Sequence, residues 1–229
     1  MPQLNVWMNG ALVGEWSVGR TGRHVFTYDP AWREHPKSRP LSLSLPLTAD
    51  GQLAGQAIEN YFDNLLPDSE TIRRRLKGRY NTKGIDAFSL LQAIGRDCVG
   101  AVQLLPSDAP APDVRKVEYD PVTAEEVEAM LAGLGSQLGL GAMDDGADFR
   151  ISIAGAQEKT ALLKVGEQWC RPRNATPTTH ILKPPIGVTP GRNLDLTLSP
   201  HNEWLCSRIL SALGIPVAAC HVERFGERT

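Results

Sequence analysis

The order of local patterns in the last third of the chain limits its fold most. Residues 150–153, RISI, read as a short strand, and 154–159, AGAQEK, as a turn of mostly small residues. Residues 160–165, TALLKV, and 179–184, THILKP, read as two further strands. Residues 202–213 then place apolar side chains at Leu205, Ile209, Leu210 and Leu213, the spacing of one helix face, and Gly214 closes that helix. A further strand is expected from Ile215 onward. The order is strand, glycine-containing loop, strand, strand, helix, strand.

The first third reads as a small antiparallel sheet with helices. Residues 4–8 and 11–18 alternate apolar and polar on either side of Asn9-Gly10, which is a strong hairpin signal. Val25 to Tyr28 is a third strand, ending in a turn at Asp29-Pro30. Residues 40–47, PLSLSLPL, alternate strictly between prolines and read as a strand near a sheet edge. Helical spacing follows from Ile58 to Leu66. Ser69 can cap a second helix carrying Arg73, Arg74, Arg75, Lys77 and Arg79, and a third helix covers about Ala87 to Ile94. Val99 to Leu105 is strand-like, and 106–114, PSDAPAPDV, is a linker. Thr123 opens a Thr-x-x-Glu capping box for a helix reaching about Leu134. The fold class is α+β, divided at 1–105, 106–147 and 148–229.

Composition removes several function classes. Gly 21 and Pro 17 in 229 residues, without a period, mean many turns rather than collagen or wholesale disorder. A net charge of −2 argues against nucleic-acid binding by bulk charge. No apolar run approaches the ~18 residues of a membrane span, and the start shows no signal-peptide pattern. Cys98, Cys170, Cys206 and Cys220 are widely spaced, which fits reduced thiols in the cytoplasm better than a zinc site. Trp7, Trp16, Trp32, Trp169 and Trp204 read as core or half-buried anchors. The run Arg73–Arg79, without interleaved aromatics, reads as a solvated helix face rather than a nucleic-acid contact.

The C-terminal order matches the small lobe of a protein-kinase-like fold, in which a loop between two strands covers nucleotide phosphates. A lysine on a following strand neutralises those phosphates, and a helix glutamate holds the lysine. Ala154-Gly155-Ala156 exposes backbone N–H groups without bulky side chains, as a phosphate cradle requires. Lys183 can present a point charge, and Glu203 lies twenty residues further on in the helix. Taken singly, these are also an ordinary hairpin, a surface lysine and a first-turn carboxylate favoured by the helix dipole.

Longer strings carry a resemblance. Residues 148–160, DFRISIAGAQEKT, with Trp169-Cys170 and 177–187, PTTHILKPPIG, closely resemble the HipA family of toxin kinases. So do 39–47, RPLSLSLPL, 62–69, FDNLLPDS, and 94–102, IGRDCVGAV, and the resemblance spans essentially the whole chain. It implies a Ser/Thr kinase using ATP and Mg²⁺, the toxin of a toxin–antitoxin pair that induces dormancy and persistence. The implied partner is HipB, a dimeric helix-turn-helix antitoxin through which operator DNA is reached. The implied substrate is glutamyl-tRNA synthetase. By position, Ala154, Gly155, Ala156, Gln157, Glu158 and Lys159 would cover the ATP phosphates and Lys183 would contact them. Ser152 matches the autophosphorylated serine of family members; a phosphate there adds about −1.5 to −2 charge and would repel ATP.

The resemblance also implies parts that this sequence lacks. An Asp-Gly-x-x-x-Asn catalytic segment and a later metal-binding Asp do not occur. Asp148-Phe149-Arg150 only superficially resembles a metal-binding Asp-Phe-Gly, and it precedes the loop. Residues 222–225, VERF, read as the strand before an interlobe hinge, which makes the ending HVERFGERT a cut between lobes. The expectation is an N-terminal portion of the kinase that is inactive alone. The alternative is a non-catalytic truncated homologue that binds the antitoxin or regulates a separate kinase chain.

Overall fold

The structure, a computed structural model of the chain, describes residues 2–96, 101–134, 155, 157–189 and 194–226. They gather into two compact units. The first comprises 2–96, 101–119, 155 and 172–177; the second comprises 120–134, 157–171, 178–189 and 194–226.

The first unit is an antiparallel sheet backed by helices. Its elements are β1 (Gln3–Met8), β2 (Ala11–Val18), β3 (His24–Tyr28), α1 (Pro30–Glu34), β4 (Gln52–Ala54), α2 (Gln56–Asp63), α3 (Glu70–Tyr80), α4 (Ala87–Ile94) and β5 (Val102–Pro106). The strand order is β4-β3-β2-β1-β5. Asn9 and Gly10 both take positive φ, so Met8 pairs with Ala11 across the two-residue turn. Leu4, Val6 and Met8 alternate inward along β1. Trp16, fully buried on β2, stacks on Phe62 of α2 at 4.0 Å and meets the edge of Phe88 of α4 at 4.8 Å. Its indole N–H donates to His24 Nδ1 at 3.2 Å. Gly14 lets β3 lie close, since a Cβ there would sit 2.3 Å from the Thr27 carbonyl oxygen.

Two local expectations are corrected in this unit. Residues 40–47 form no strand; they hold one isolated bridge, Ser42 to Leu45, and Leu43 is 97% exposed. Pro40 and Pro46 lack the donors a ladder needs. The buried Tyr28 hydroxyl takes the polar groups instead, donating to the Leu45 carbonyl at 2.5 Å and accepting the Leu41 N–H at 2.9 Å. Asp29-Pro30, read as a turn, opens α1: the Asp29 carboxylate caps the Ala31 and Trp32 N–H groups, and Pro30 occupies the first turn.

The second unit contains β6 (Tyr119–Pro121, except Tyr119), α5 (Ala124–Gly133), β7 (Thr160–Val165), β8 (Gln168–Pro172, except Pro172), β9 (His180–Leu182), β10 (Gly187–Thr189), β11 (Leu194–Leu196) and α6 (Ser199–Ala212). The sheet runs β6-β8-β7-β9, and β10 and β11 form a separate antiparallel pair. The Thr123 capping box is formed in both directions, and Val127, Met130 and Leu131 of α5 are buried. The helix expected over 202–213 is present as α6, but none of its residues is buried; Leu205, Ile209 and Leu213 are 51%, 51% and 70% exposed. The strand expected from Ile215 is absent, and 215–224 carry no regular structure. Pro216 removes one ladder donor from that segment. The strand expected at 150–153 lies outside the described residues.

Replacing Tyr28 with Phe should strand two backbone groups and cost about 1–3 kcal/mol in urea unfolding. Burial also pushes the Tyr28 hydroxyl above its usual range. Its contribution is complete below about pH 10 and is lost as pH rises through the raised value, because the unfolded chain ionises first. Tyr28→Phe should therefore flatten the alkaline fall in stability. Thr123→Ala should lower stability by about 1 kcal/mol through the lost cap.

Candidate functional site

The β7–β9 ladder pairs Thr160 with Leu182, Ala161 with Ile181 and Leu162 with His180. The lysine expected to carry chemistry therefore follows directly on the last paired residue of β9. Pro184 and Pro185 come next and cannot extend the ladder, so Lys183 ends the strand. The chain turns back through the β10–β11 pair to the start of α6. There the Ser199 hydroxyl accepts the Ile186 N–H at 3.0 Å, tying the lysine's turn to the first residue of the helix. Glu203 lies one helical turn further along.

This path brings the two expected partners together. Lys183 Nζ donates to Glu203 Oε1 at 2.5 Å. Their side chains are 33% and 49% exposed. Pairs with that exposure contribute about 0–1 kcal/mol, too little to hold a fold together. What the pair does is aim the ammonium, which keeps further N–H groups for a second anion. Gln157, the third expected residue, donates from Nε2 to the Pro184 carbonyl at 3.0 Å and so braces the same turn. Glu158 and Lys159 are half-buried.

Gly155 takes φ +109°, a backbone state that side chains disfavour. Within the first unit it forms a parallel bridge with Pro67, and its carbonyl accepts the Asp68 N–H at 3.4 Å. Ser152, Ala154, Ala156, Asp148 and Cys98 lie outside the described residues.

Behind the strands sits an aromatic cluster that the sequence did not reveal. Trp169 is 8% exposed and meets the edges of His180 and Phe225 at 5.1 and 5.9 Å. Its indole N–H donates to Glu223 Oε1 at 3.3 Å, and Lys164 Nζ lies 4.8 Å from its ring centroid. Glu223 and Phe225 thus anchor the segment expected as the pre-hinge strand, although no strand forms. A contact across 54 residues has no local signal; only the apolar character of Trp169 and Phe225 was legible.

Other expectations divide. Trp16, Trp32 and Trp169 are buried anchors, whereas Trp204 is 38% exposed. The basic run on α3 is not merely solvated: Arg73 is 15% exposed in its ion pair with Asp63, while Arg74 and Lys77 are exposed. Cys170, Cys206 and Cys220 are free thiols, and burial pushes the Cys170 thiol up, away from reactivity. Among the described residues no group of three or more His, Cys, Asp or Glu could hold a metal ion, and no helix is long and apolar enough to cross a membrane.

Comparison with known proteins gives a consistent picture for both ends of the chain. Residues 4–105 match the HipA N-terminal domain, and residues 151–229 match the HipA-like C-terminal domain. The protein named "Putative kinase Y4mE" of Sinorhizobium fredii is 34% identical over 227 residues, covering 94% of this chain and 49% of that protein. The serine/threonine-protein kinase toxin HipA of Shewanella oneidensis is 27% identical over 226 residues, covering 97% and 47%. A chain in the solved complex of Shewanella oneidensis HipA, HipB and operator DNA superposes with a TM-score of 0.71 at 26% identity, covering 98% of this chain and 48% of that one. The chain therefore spans about half the length of the curated relatives it matches. With its two ends matching two domains of one family, and with one fold shared along nearly its whole length, the chain belongs to the HipA family.

Proposed function

We propose that this chain carries the nucleotide-phosphate side of a HipA-type Ser/Thr kinase toxin. In this reading 1–105 form the N-terminal subdomain, 106–147 a linker and helical segment, and 148–229 the kinase-like small lobe. The single observation that carries it is the 2.5 Å pair between Lys183 and Glu203, two residues twenty positions apart. A strand lysine held by a helix carboxylate is the arrangement that kinase-like folds use to grip nucleotide phosphates.

The residues present suit ATP as a ligand. Lys183 supplies the cation that meets the phosphates, and Glu203 fixes where that cation points. By the family resemblance residues 154–159 cover the phosphates, and Gly155 takes a positive φ that suits glycine. Gln157 holds the loop's C-terminal side to Pro184. In this reading Mg²⁺ arrives as the chelate of ATP. Bound ATP supplies the transferable γ-phosphoryl group. The catalytic carboxylate and metal-binding Asp of such kinases have no counterpart in these 229 residues, so we read phosphoryl transfer as a property of the complete kinase.

The relatives support a reading of the wider role. The HipA of Shewanella oneidensis is named a serine/threonine-protein kinase toxin, and its solved complex holds HipB and operator DNA. By that likeness our reading assigns this protein a helix-turn-helix antitoxin as partner, DNA contact mainly through it, and a cytoplasmic role in growth arrest and persistence. Glutamyl-tRNA synthetase is the substrate the family likeness suggests. Ser152 is its regulatory autophosphorylation position.

Calorimetric titration of Mg·ATP into the purified chain should show binding that weakens by tenfold or more in Lys183→Ala and less in Glu203→Gln, since the second leaves the cation in place. Equal affinity of wild type and Lys183→Ala would remove Lys183 from the site. The chain alone should transfer no phosphate from γ-labelled ATP to added protein; robust transfer would overturn the assignment of catalysis to the complete kinase.

A further inference from the structure

The turn that follows Lys183 is held by side chains rather than by the sheet. Pro184 and Pro185 have no N–H, so the Ile186 amide is the first backbone donor after the lysine. The Ser199 hydroxyl accepts it at 3.0 Å. The Pro184 carbonyl accepts Gln157 Nε2, also at 3.0 Å. Two side chains thus take up backbone groups that a continued ladder would have paired.

Ser199 also stands where it can govern the lysine's partner. It is the first residue of α6, and Glu203 follows four positions later, so the two lie on one helix face. That face meets the lysine's turn twice. Ser199 receives the Ile186 amide, and Glu203 Oε1 receives Lys183 Nζ at 2.5 Å. The helix has no side-chain cap: Leu198 occupies the N-cap, and the Ser199 hydroxyl bonds the turn. A second serine of α6 gives the contrast. The Ser207 hydroxyl donates to the Trp204 carbonyl of its own helix, three residues back. A lysine side chain is long and rich in rotamers, so its ammonium is aimed only when both ends are fixed. One end is the backbone that carries it; the other is the carboxylate that receives it. Ser199 fixes the separation between those two ends.

We infer that Ser199 is a positioning residue for the Lys183 ammonium. Its hydroxyl sets the distance between the lysine's turn and α6, and so keeps Glu203 within reach of Lys183. Gln157 braces the same turn through Pro184. The inference rests on the proposed role of Lys183 toward ATP. One hydrogen bond has a net worth of about threefold to tenfold in an equilibrium, and an effect of that size is expected.

The test is made on the full chain with Ser199→Ala, with Ser199→Thr, which keeps the hydroxyl, and with Ser207→Ala as control. The nuclear Overhauser effect between the Lys183 ε-methylene and the Glu203 γ-methylene reports the ion pair. The Trp169 indole resonance reports the folded second unit, and calorimetry gives the affinity for Mg·ATP. Ile186 is exposed, so water replaces the lost acceptor and Ser199→Ala should fold. Ser199→Ala should weaken or lose the Overhauser effect and keep the folded Trp169 signal. It should weaken Mg·ATP by about threefold to tenfold, less than Lys183→Ala does. Ser199→Thr should restore both readouts, and Ser207→Ala should move neither. An unchanged Overhauser effect in Ser199→Ala would overturn the inference, as would its loss with unchanged affinity. Collapse of the Trp169 resonance to its unfolded position would overturn it too, because the hydroxyl would then be holding the fold rather than aiming a cation. If the wild-type chain shows no affinity for Mg·ATP, the proposed nucleotide reading fails and takes the nucleotide role of Ser199 with it. The Overhauser effect then decides separately whether Ser199 sets the ion pair.

Discussion

The backbone ladder between β7 and β9 is the constraint on which the meeting of Lys183 and Glu203 depends. It ends at Leu182 because two prolines follow Lys183. An extended strand would carry the lysine away along the sheet; a strand cut at that residue leaves its side chain beside the start of the next helix. The Ser199 hydroxyl then closes the turn onto Ile186. With both ends of the excursion fixed, the Lys183–Glu203 pair costs little side-chain ordering beyond what the backbone has already imposed. That is how a half-exposed ion pair of small stabilising value can still be well defined.

The first unit solves a different problem, which is to back a twisted antiparallel sheet with short helices. Trp16 lies between Phe62 and Phe88, so one aromatic side chain joins β2 to α2 and α4. Such stacks add about 0.5–1.5 kcal/mol beyond their area, and they fix the angle at which α2 leaves the sheet. The end of α2 then presents Asp63 to Arg73. Packing in the core and the ion pair at the surface are two ends of one helix of eight residues.

The α6 face shows why local pattern and burial are separate matters. Its apolar spacing is real and the helix forms, yet Leu205, Ile209 and Leu213 are exposed. Helical periodicity reports which side chains share a face; it does not say what covers that face. Residues 40–47 teach the converse. Their alternation satisfies a strand template, but a strand also needs a neighbour offering backbone groups. Here the Tyr28 hydroxyl and two prolines leave no ladder to join.

The sequence by itself determined whatever depends on neighbours a few residues apart. Asn9-Gly10 sets the first hairpin, Ser69 and Thr123 cap their helices, and the strings around Gly155 and Lys183 carry the family resemblance. These are short-range effects, in which a side chain meets the backbone within one turn. Tertiary structure decided the long-range pairings: Trp169 with Glu223, Gln157 with Pro184, Arg73 with the Pro67 carbonyl, and the meeting of Lys183 with Glu203 at hydrogen-bonding distance. Each joins elements whose approach is set by packing of the whole unit, and no local spacing encodes that approach.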